Sequence, residues 1–562
     1  MSSKPGTPQH LNALLQEGVE LQQNGAFVEA ESVYREILSL RPRHFDALQL
    51  LGALALQSGR YEEGAELLNK ACAVDARQAH VHSNLAFALN ALGRHDAALA
   101  AANRALTLKN GFVDALNNRG MALAGLNRPV EALASFEKAL AAKPDFPEAW
   151  SNRSCALRDL GEPEQAVASC DRAIALRPNY AEAWSNRGNA LSDLNRPLEA
   201  QASYERALAA SSALADAWSN LGLTFVDMNR HADALACYER ALAIAPDAAE
   251  THWNRALCLL QTGELARGFA EYEWRWNRKR IAPSMRSFDA PLWLGDTSLQ
   301  GKTILLHAEQ GLGDTLQFCR YAGLVAAQGA RVVLEAQPEL MRLLAGLEGV
   351  AQLVAAGDPL PAFDCHSPLL SLPLALHTTI ETIPARTPYL FADSAASAHW
   401  RTRIAEATPP RALKVGLVWA GGHRPHVPEL RKNDARRSLS FERFAPIVDT
   451  PGVQFFSLQK GENAAAQLTA MRERHAASAR VTDWTNELDD FADTAALVDN
   501  LDLVISVDTS TAHLAGAMNK PVWILNRLDT CWRWMLERED SPWYPSARLF
   551  RQPTLGDWDS VI

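Results

Sequence analysis

Apolar and small residues recur along the first half of the chain with a period of 34 residues. The period holds without an insertion to about residue 282, in units that begin at Leu11, Phe45, Ala79, Val113, Pro147, Ala181, Ala215 and Ala249. Position 8 of the unit is small almost throughout, and position 24 often carries a bulky ring, as in Tyr34, Phe136 and Tyr204. Small residues let two antiparallel helices approach, and a proline at position 32 ends the second helix in several units. The pattern predicts eight helix pairs over residues 11–282, after a flexible terminus at residues 1–10.

This period resembles the tetratricopeptide repeat. Helix pairs of that kind stack into a superhelix, and the first helix of each unit lines its concave wall. The simplest function for such an array is a protein-binding scaffold.

An asparagine recurs at position 6 of six successive units, in words such as AWSNR at 149–153 and 183–187. Helix packing alone does not require an amide at a fixed place. Because an amide both donates and accepts hydrogen bonds, a ladder of them on the concave wall could hold the backbone of an extended peptide. The alternative is that each one bonds the adjacent repeat. The predicted acceptor-peptide ladder is Asn84, Asn118, Asn152, Asn186, Asn220 and Asn254.

After about residue 283 the period stops, and β-rich apolar runs alternate with helical runs. One set runs from KTILLHAE to VAQLVAAG, and a second begins with LKVGLVWAG after a helical linker near 394–407. Strands separated by helices indicate parallel βαβ units. We therefore expect two Rossmann-like lobes, at 283–400 and 401–562, with ligands bound at the carboxyl ends of the strands.

The first candidate loop is AEQGLGDTLQF, which follows a predicted strand and opens a helix. Gly311 and Gly313 permit a tight turn with close approach of a ligand. Asp314 would then lie at the start of the helix and could act as a general base toward an acceptor hydroxyl. The alternative is that Asp314 only stabilises the helix N-terminus.

The second candidate loop is VISVDTSTAHLAGAM. Its hydroxyls and the free amides of a helix N-terminus would suit a diphosphate. The alternative is a helix cap with a core histidine. The predicted donor-binding residues in this loop are Asp508, Thr509, Ser510, Thr511 and His513.

Two further loops carry cations or amides after strands. Gln459 and Lys460 follow the run VQFFS, and the lysine could either neutralise a phosphate or be a solvated turn residue. A basic stretch follows VWAGG, at a place where a diphosphate leaving group would need positive charge. The choice among its members Lys432, Arg436 and Arg437 stays open, and Arg437 is the preferred one.

Composition excludes several classes of function. The net charge of -10 argues against a nucleic-acid partner. The chain has neither a secretion signal at its start nor an apolar run long enough to span a membrane, so we expect a cytoplasmic protein. Its eight cysteines show no CxxC pair, and zinc-ligand spacing and a P-loop are also missing. We therefore expect neither a metal nor a cofactor.

The motifs HAEQGLGDTLQFCRYAGL, SLQKG, VISVDTSTAHLAGA and DTCWRWMLEREDSPWYPSARLFRQP, in this order, resemble the transferase-like domain of bacterial tetratricopeptide-repeat proteins related to glycosyltransferase family nine, the heptosyltransferases. The architecture is also similar to that of O-linked N-acetylglucosamine transferase. The resemblance implies an α superhelix followed by an α/β GT-B domain, a nucleotide-sugar donor held mainly by the C-terminal lobe, and inversion without a metal.

The resemblance also implies residue roles. Asp314 matches the proposed base, and the 508–513 loop would hold sugar hydroxyls and phosphates, with Ser510 where the family has glycine. Our leading hypothesis is a glycosyltransferase that modifies Ser or Thr of a protein acceptor in the repeat groove, and flagellin is a candidate acceptor by resemblance. The alternatives are a non-catalytic adaptor with a degenerate transferase domain and a transferase for a lipid-linked or polysaccharide acceptor.

Overall fold

The structure is a computed structural model that describes residues 7–278, 286–422, 434–475 and 480–562. The chain divides into two compact units, residues 1–224 and residues 225–562. The second unit therefore begins inside the seventh predicted repeat and includes the whole of the eighth. Among the described residues, no helix combines the length and the apolar character that crossing a membrane requires.

The predicted helix pairs are present, and from Phe45 onward the first helix of each pair begins at a predicted unit start. The helices are α1 (Pro8–Gln23), α2 (Phe27–Leu40), α3 (Phe45–Gln57), α4 (Tyr61–Val74), α5 (Ala79–Ala91), α6 (His95–Leu108), α7 (Val113–Gly125), α8 (Pro129–Ala142), α9 (Pro147–Asp159), α10 (Pro163–Leu176), α11 (Ala181–Asp193), α12 (Pro197–Ala210), α13 (Ala215–Asp227), α14 (His231–Ile244), α15 (Ala249–Gln261) and α16 (Leu265–Tyr272). In the described part of the chain these helices form eight pairs, between Pro8 and Tyr272.

Close packing within a pair depends on the small residue at position 8. A Cβ atom added at Gly188 would lie 2.6 Å from Cε1 of Tyr204, the ring at position 24 of the same repeat. At Gly120 the added atom would lie 2.4 Å from the Phe136 ring. The sequence pattern of small and bulky positions therefore records one packing contact between the two helices of a repeat.

The tryptophan and the arginine of AWSNR each make a hydrogen bond that stabilises the array. Trp184 Nε1 donates to the Pro178 carbonyl oxygen in the preceding turn at 2.8 Å. Arg187 Nη1 donates to Ser203 Oγ in the second helix of its own repeat, also at 2.8 Å. In the eighth repeat His252 replaces the tryptophan, and its Nε2 lies 2.8 Å from the Pro246 carbonyl oxygen. In both repeats a ring nitrogen at position 4 thus bonds the turn before the helix, which explains why histidine can replace tryptophan there.

The chain beyond the repeats forms two parallel sheets with helices between the strands. The four-stranded sheet has the order β3-β2-β1-β4, and the six-stranded sheet has the order β10-β9-β8-β5-β6-β7. The strands are β1 (Thr303–His307), β2 (Arg331–Ala336), β3 (Val350–Ala355), β4 (Cys365–Pro368), β5 (Leu413–Val418), β6 (Val453–Ser457), β7 (Val481–Asp483), β8 (Leu503–Val507), β9 (Val522–Asn526) and β10 (Ala547–Arg551). The predicted α/β region is confirmed.

Helices and short turns connect these strands. The α-helices with defined bounds are α17 (Leu312–Phe318), α18 (Ala322–Ala327), α19 (Met341–Leu344), α20 (Leu372–Ala375), α21 (Ser394–Ala407), α22 (Ala445–Val448), α23 (Glu462–Arg474), α24 (Phe491–Val498) and α25 (Ser510–Ala517). Residues 434–437 are also helical.

The order of the strands marks two places where a ligand would bind. In the first sheet the order reverses at β1, which pairs with both β2 and β4. In the second sheet it reverses between β5 and β8. Open parallel sheets bind ligands in the crevice at the carboxyl ends of the strands beside such a reversal. The predicted loops at 308–314 and 508–513 follow β1 and β8, so both lie at these positions.

The core of the second unit includes the eighth repeat. Leu260, Phe269 and Tyr272 belong to the same buried cluster as Ile304 of β1 and Val504 of β8. The last helix pair is therefore part of the apolar interior that supports the strand-end loops.

Candidate functional site

The two strand-end loops meet where α17 and α25 begin. A Cβ atom added at Gly313 would lie 3.0 Å from His513 Cδ2 and 3.4 Å from the Ser510 Cα atom. Glycine at position 313 thus allows the first turns of the two helices to approach each other. The structure brings together the Gly311–Asp314 and Asp508–His513 segments that the sequence selected separately.

Asp314 makes one contact within its own loop and one across the site. Its Oδ2 accepts a hydrogen bond of 2.9 Å from the Gly311 amide, so the carboxylate does stabilise the start of α17. Its Oδ1 forms an ion pair with the guanidinium of Arg533, whose side chain is only 10% exposed. One side chain therefore both stabilises the start of the helix and pairs with an arginine from a distant segment.

Arg533 belongs to a short 3₁₀ turn, Trp532–Trp534, that contacts both predicted aspartates. Arg533 pairs with Asp314, and the next residue, Trp534, donates from Nε1 to Asp508 Oδ1 at 2.9 Å. Trp532 packs edge-on against Phe269 of the eighth repeat, with ring centroids 5.7 Å apart. In the sequence, this turn is only one part of the motif that begins DTCWRW, and no role was predicted for it. The signal that could have identified it is its run of consecutive aromatic and basic residues.

The Asp508–His513 segment divides into a polar edge and a buried histidine. Thr509 Oγ1 lies 2.9 Å from Ser506 Oγ, so this hydroxyl bonds backward along the chain. The amides of Ser510 and Thr511 occupy the first turn of α25, where N–H groups have no acceptor within the helix. These amides form the part of the loop suited to an anion.

His513 is a packing residue in this structure. Its Nδ1 lies 2.9 Å from the Tyr544 hydroxyl, and its ring stacks on Trp534 at a centroid distance of 5.1 Å. Burial, together with the positive charge of the nearby Arg533, lowers the pKa of His513 to about 3. The ring is therefore neutral near neutral pH, which agrees with the alternative of a core histidine and gives no positive charge for a phosphate.

Two of the candidate arginines have distinct surroundings. Arg437 donates from Nη1 to the Asp508 carbonyl oxygen at 3.2 Å and from Nη2 to Asp434 Oδ1 at 2.7 Å. Arg436 instead donates to Asp227 and to Asp529, at 2.8 Å each. Arg437 thus lies at the end of β8, whereas two carboxylates bind Arg436. The other cations of this basic stretch, Arg431 and Lys432, lie outside the described residues.

Gln459 and Lys460 support loops by bonding to the backbone. Gln459 Oε1 accepts from the amides of Trp419 and Ala420, at 3.1 and 2.8 Å, just after β5. The Lys460 ammonium donates to the Leu488 carbonyl oxygen. Both side chains therefore hold the strand ends of the second sheet in the structure, and their predicted contact with a donor stays a prediction.

A buried arginine from the end of the repeats holds the loop that precedes Asp314. Arg275 is fully buried and donates to Glu309 over 3.0 and 3.2 Å and to Ser371 over 2.7 Å. Burial outweighs the opposing effect of Arg275 and raises the pKa of Glu309 to about 7. Gln310 Nε2 also donates to the Tyr272 hydroxyl at 3.0 Å. Sequence reasoning missed these residues because their partners are distant in the chain.

The asparagine ladder bonds mainly to neighbouring repeats. The amide nitrogens of four members donate to the preceding repeat, at distances of 2.9 to 3.0 Å: Asn118 to the Ser83 carbonyl, Asn152 to Asn117, Asn186 to Ser151 and Asn220 to Asn189. Among the described residues no such bond is found for Asn84 or Asn254. The alternative from the sequence, a bond to the adjacent repeat, thus accounts for the nitrogen of four of the six residues. Binding of an acceptor peptide stays a prediction.

The chemistry available at the site is that of a carboxylate beside cations and free amides. Within the described ranges, no cluster of three or more His, Cys, Asp or Glu side chains could hold a metal ion. The arrangement could bind an anionic group at α25 and Arg437 while Asp314 handles a proton.

Family comparisons identify the N-terminal region as tetratricopeptide repeats. Models of this repeat match residues 21–86, 84–147, 117–181, 169–202 and 215–248. Together with the geometry, they show that the N-terminal region consists of tetratricopeptide repeats and that an α/β region with parallel sheets follows it.

Among curated proteins, the chain is similar to Protein FlbA of Caulobacter vibrioides, with 29% identity over 333 residues. The match covers 55% of this chain and 53% of that protein, so it spans about half the length of the relative.

Solved structures similar to the chain include a tetratricopeptide-repeat protein from Parabacteroides merdae, with 17% identity and a TM-score of 0.39, covering 45% of this chain and 99% of the other. A thermophilic protein with the same repeat from Thermus thermophilus has 28% identity and a TM-score of 0.31, covering 33% of this chain and 100% of the other.

Proposed function

We propose that the protein is an inverting glycosyltransferase that moves a sugar from a nucleotide-sugar donor to a Ser or Thr hydroxyl of a protein acceptor. The observation that carries the proposal is that the start of α17, which carries Asp314, approaches the first turn of α25, while Arg437 lies at the end of β8. Both loops follow strands at which the strand order of a sheet reverses. In this proposal the α/β region is of the GT-B type and the protein acts in the cytoplasm.

The proposed reaction assigns one task to each group. The acceptor oxygen attacks the anomeric carbon, and the bond from that carbon to the diphosphate oxygen breaks. Asp314 takes the hydroxyl proton as a general base. The nucleoside diphosphate leaves with the bonding electrons, and Arg437 with the amides of α25 stabilises its negative charge. Arg437 and these amides can meet that charge without a divalent ion.

A protein acceptor is supported by the repeats, because arrays of this kind suggest a protein-binding role. The oxygen of each ladder asparagine could still accept a bond from a peptide backbone when its nitrogen bonds the preceding repeat. Flagellin is the acceptor to test first, on the basis of the sequence resemblance.

A second candidate function is that of a non-catalytic adaptor. It is favoured by the contacts of Asp314, Gln459 and Lys460, each of which already has a partner in the structure. In that case the repeats would bind a protein and the α/β unit would transfer nothing.

The experiment that separates the two candidates combines donor binding with transfer. The protein is first titrated with UDP-sugars, ADP-sugars and other nucleotide sugars in a thermal-shift assay. It is then incubated with flagellin and each donor, and intact-protein mass spectrometry reports the mass added. We expect one donor to raise the melting temperature and to add a single sugar mass.

The matched variants are Asp314→Asn and Asp493→Asn. Asp314→Asn should reduce transfer by about 100-fold or more while donor binding persists, because loss of a general base typically costs 100-fold to 10,000-fold. Asp493 pairs with the largely exposed Arg342 instead of with Arg533 or Arg437, so its replacement should leave transfer within about twofold. Absence of any donor binding, or full activity of Asp314→Asn, would contradict the enzyme proposal.

A further inference from the structure

The guanidinium of Arg533 is buried, yet its donors are only partly used. Nη2 pairs with Asp314, and Nη1 lies 3.2 Å from the sulfur of Cys531, which is a weak acceptor. Nε is buried and has no hydrogen-bond partner within the described part of the chain. The cation lies over the Trp532 ring, 4.4 Å from its centroid. A buried donor without an acceptor is costly, so a partner with more acceptor oxygens would be favoured.

The position of Arg533 links the proposed base to the proposed diphosphate site. The next residue, Trp534, bonds Asp508, and the carbonyl oxygen of Asp508 accepts from Arg437. The His513 ring, one turn into α25, stacks on Trp534. Arg533 therefore lies between the carboxylate of α17 and the first turn of α25.

We propose that Arg533 exchanges partners during the reaction and so controls when Asp314 can act as a base. Without a donor, Arg533 holds Asp314 in an ion pair, and the carboxylate is engaged. The diphosphate of the donor carries more negative charge and more acceptor oxygens than one carboxylate, so it competes for the guanidinium. Asp314 is then released only when a donor is present. This inference rests on the proposed function, because it requires a diphosphate at α25.

The proposal predicts that Asp314 and the diphosphate compete for Arg533. Asp314→Asn removes the charged competitor, so it should tighten the binding of inorganic pyrophosphate, UDP and ADP by about tenfold, within the usual range of coupling between sites. Arg533→Gln should weaken the same probes by about tenfold. In the double variant the gain from Asp314→Asn should vanish. Calorimetry measures the affinities.

The controls separate this exchange from general electrostatics and from misfolding. A gain from Asp314→Asn that persists without Arg533 would show only that a nearby negative charge was removed, and it would overturn the proposal. Arg533→Lys keeps the charge, so in this variant Asp314→Asn should still raise the affinity for the probes in part. If the lysine variant folds and Asp314→Asn then changes no affinity, that result also counts against the exchange. Arg342→Gln is the matched control, because Arg342 pairs with Asp490 and Asp493 elsewhere in the same unit.

The outcomes for the wild-type protein distinguish the two proposals. If the wild type binds none of the three probes, the proposed function fails and this inference fails with it. If it binds them and Asp314→Asn shows no gain in affinity, only the exchange of Arg533 is wrong.

Discussion

The repeat array and the strand-end loops use their polar side chains differently. In the array, Trp184, Asn186 and Arg187 each donate to a neighbouring helix or turn, so polar groups complete the stack. At the strand ends, Arg533 and Arg437 each keep a buried Nε without a hydrogen-bond partner among the described residues. A recurring polar residue in a repeat thus first explains the array itself, whereas an unmatched buried donor at a sheet edge indicates a place for a ligand.

The largest expected effect compares Arg275, which supports the loop before Asp314, with Arg187 of the repeat array. Arg275→Met would leave Glu309 and Glu273 without their cation, and breaking a buried pair costs about 3 to 5 kcal/mol. Arg187→Met removes a partly exposed arginine that bonds Ser203, and we expect a loss of about 1 kcal/mol. Chemical denaturation of both variants measures the change in the free energy of unfolding.

Equal losses for the two arginine variants would contradict this difference between the regions. Circular dichroism before denaturation serves as the control, because it shows whether each variant retains the helical content of the wild type.

The second prediction concerns acid stability. Burial lowers the pKa of His513 to about 3, below its value of 6.5 in an unfolded chain, so the unfolded state takes up a proton that the folded state does not. Stability should therefore fall as the pH drops below 6.5, by about 2 kcal/mol at pH 5 from this residue alone. His513→Asn should make the difference in the free energy of unfolding between pH 7.5 and pH 5 smaller by that amount.

Urea denaturation followed by tryptophan fluorescence measures this difference. The variant at pH 7.5 is the reference, since it isolates the cost of the altered packing. An unchanged pH dependence would mean that His513 is protonated in the folded protein or is not buried as described.

The smallest expected effect concerns the ladder. Asn186→Ala removes the bond of 3.0 Å to Ser151 and should cost about 1 kcal/mol. Asn84→Ala, at the same position of the third repeat, is the matched control. It should change the free energy of unfolding by only a few tenths of a kcal/mol, as is usual for sites without such a bond. Thermal denaturation measures both. If both variants keep wild-type stability but lose binding of a protein acceptor, the ladder serves the acceptor instead of the array.

Much of the fold was predictable, because its signals are local in sequence. Gly188 and Tyr204 lie 16 positions apart in one repeat, and their sizes alone predict the helix contact. The loops after β1 and β8 were also predictable, since glycines and hydroxyl residues directly follow apolar strands. The contacts of the candidate site were harder to predict. Arg533 pairs with a residue 219 positions away, and Arg275 pairs with one 34 positions away in a different element.

Patterns along the chain were enough to predict the eight repeats, the two sets of alternating strands and helices, and the two loops that carry Asp314 and Asp508. These features depend on periodicity and on the residue types that suit a turn, and both can be read along the chain. The folded arrangement was needed to see that the Trp532–Trp534 turn contacts both aspartates, that His513 is a neutral core residue and that Arg437, not Arg436, lies at the end of β8. The physical reason is that partners, burial and charge depend on which distant segments pack together, and no local pattern records that choice.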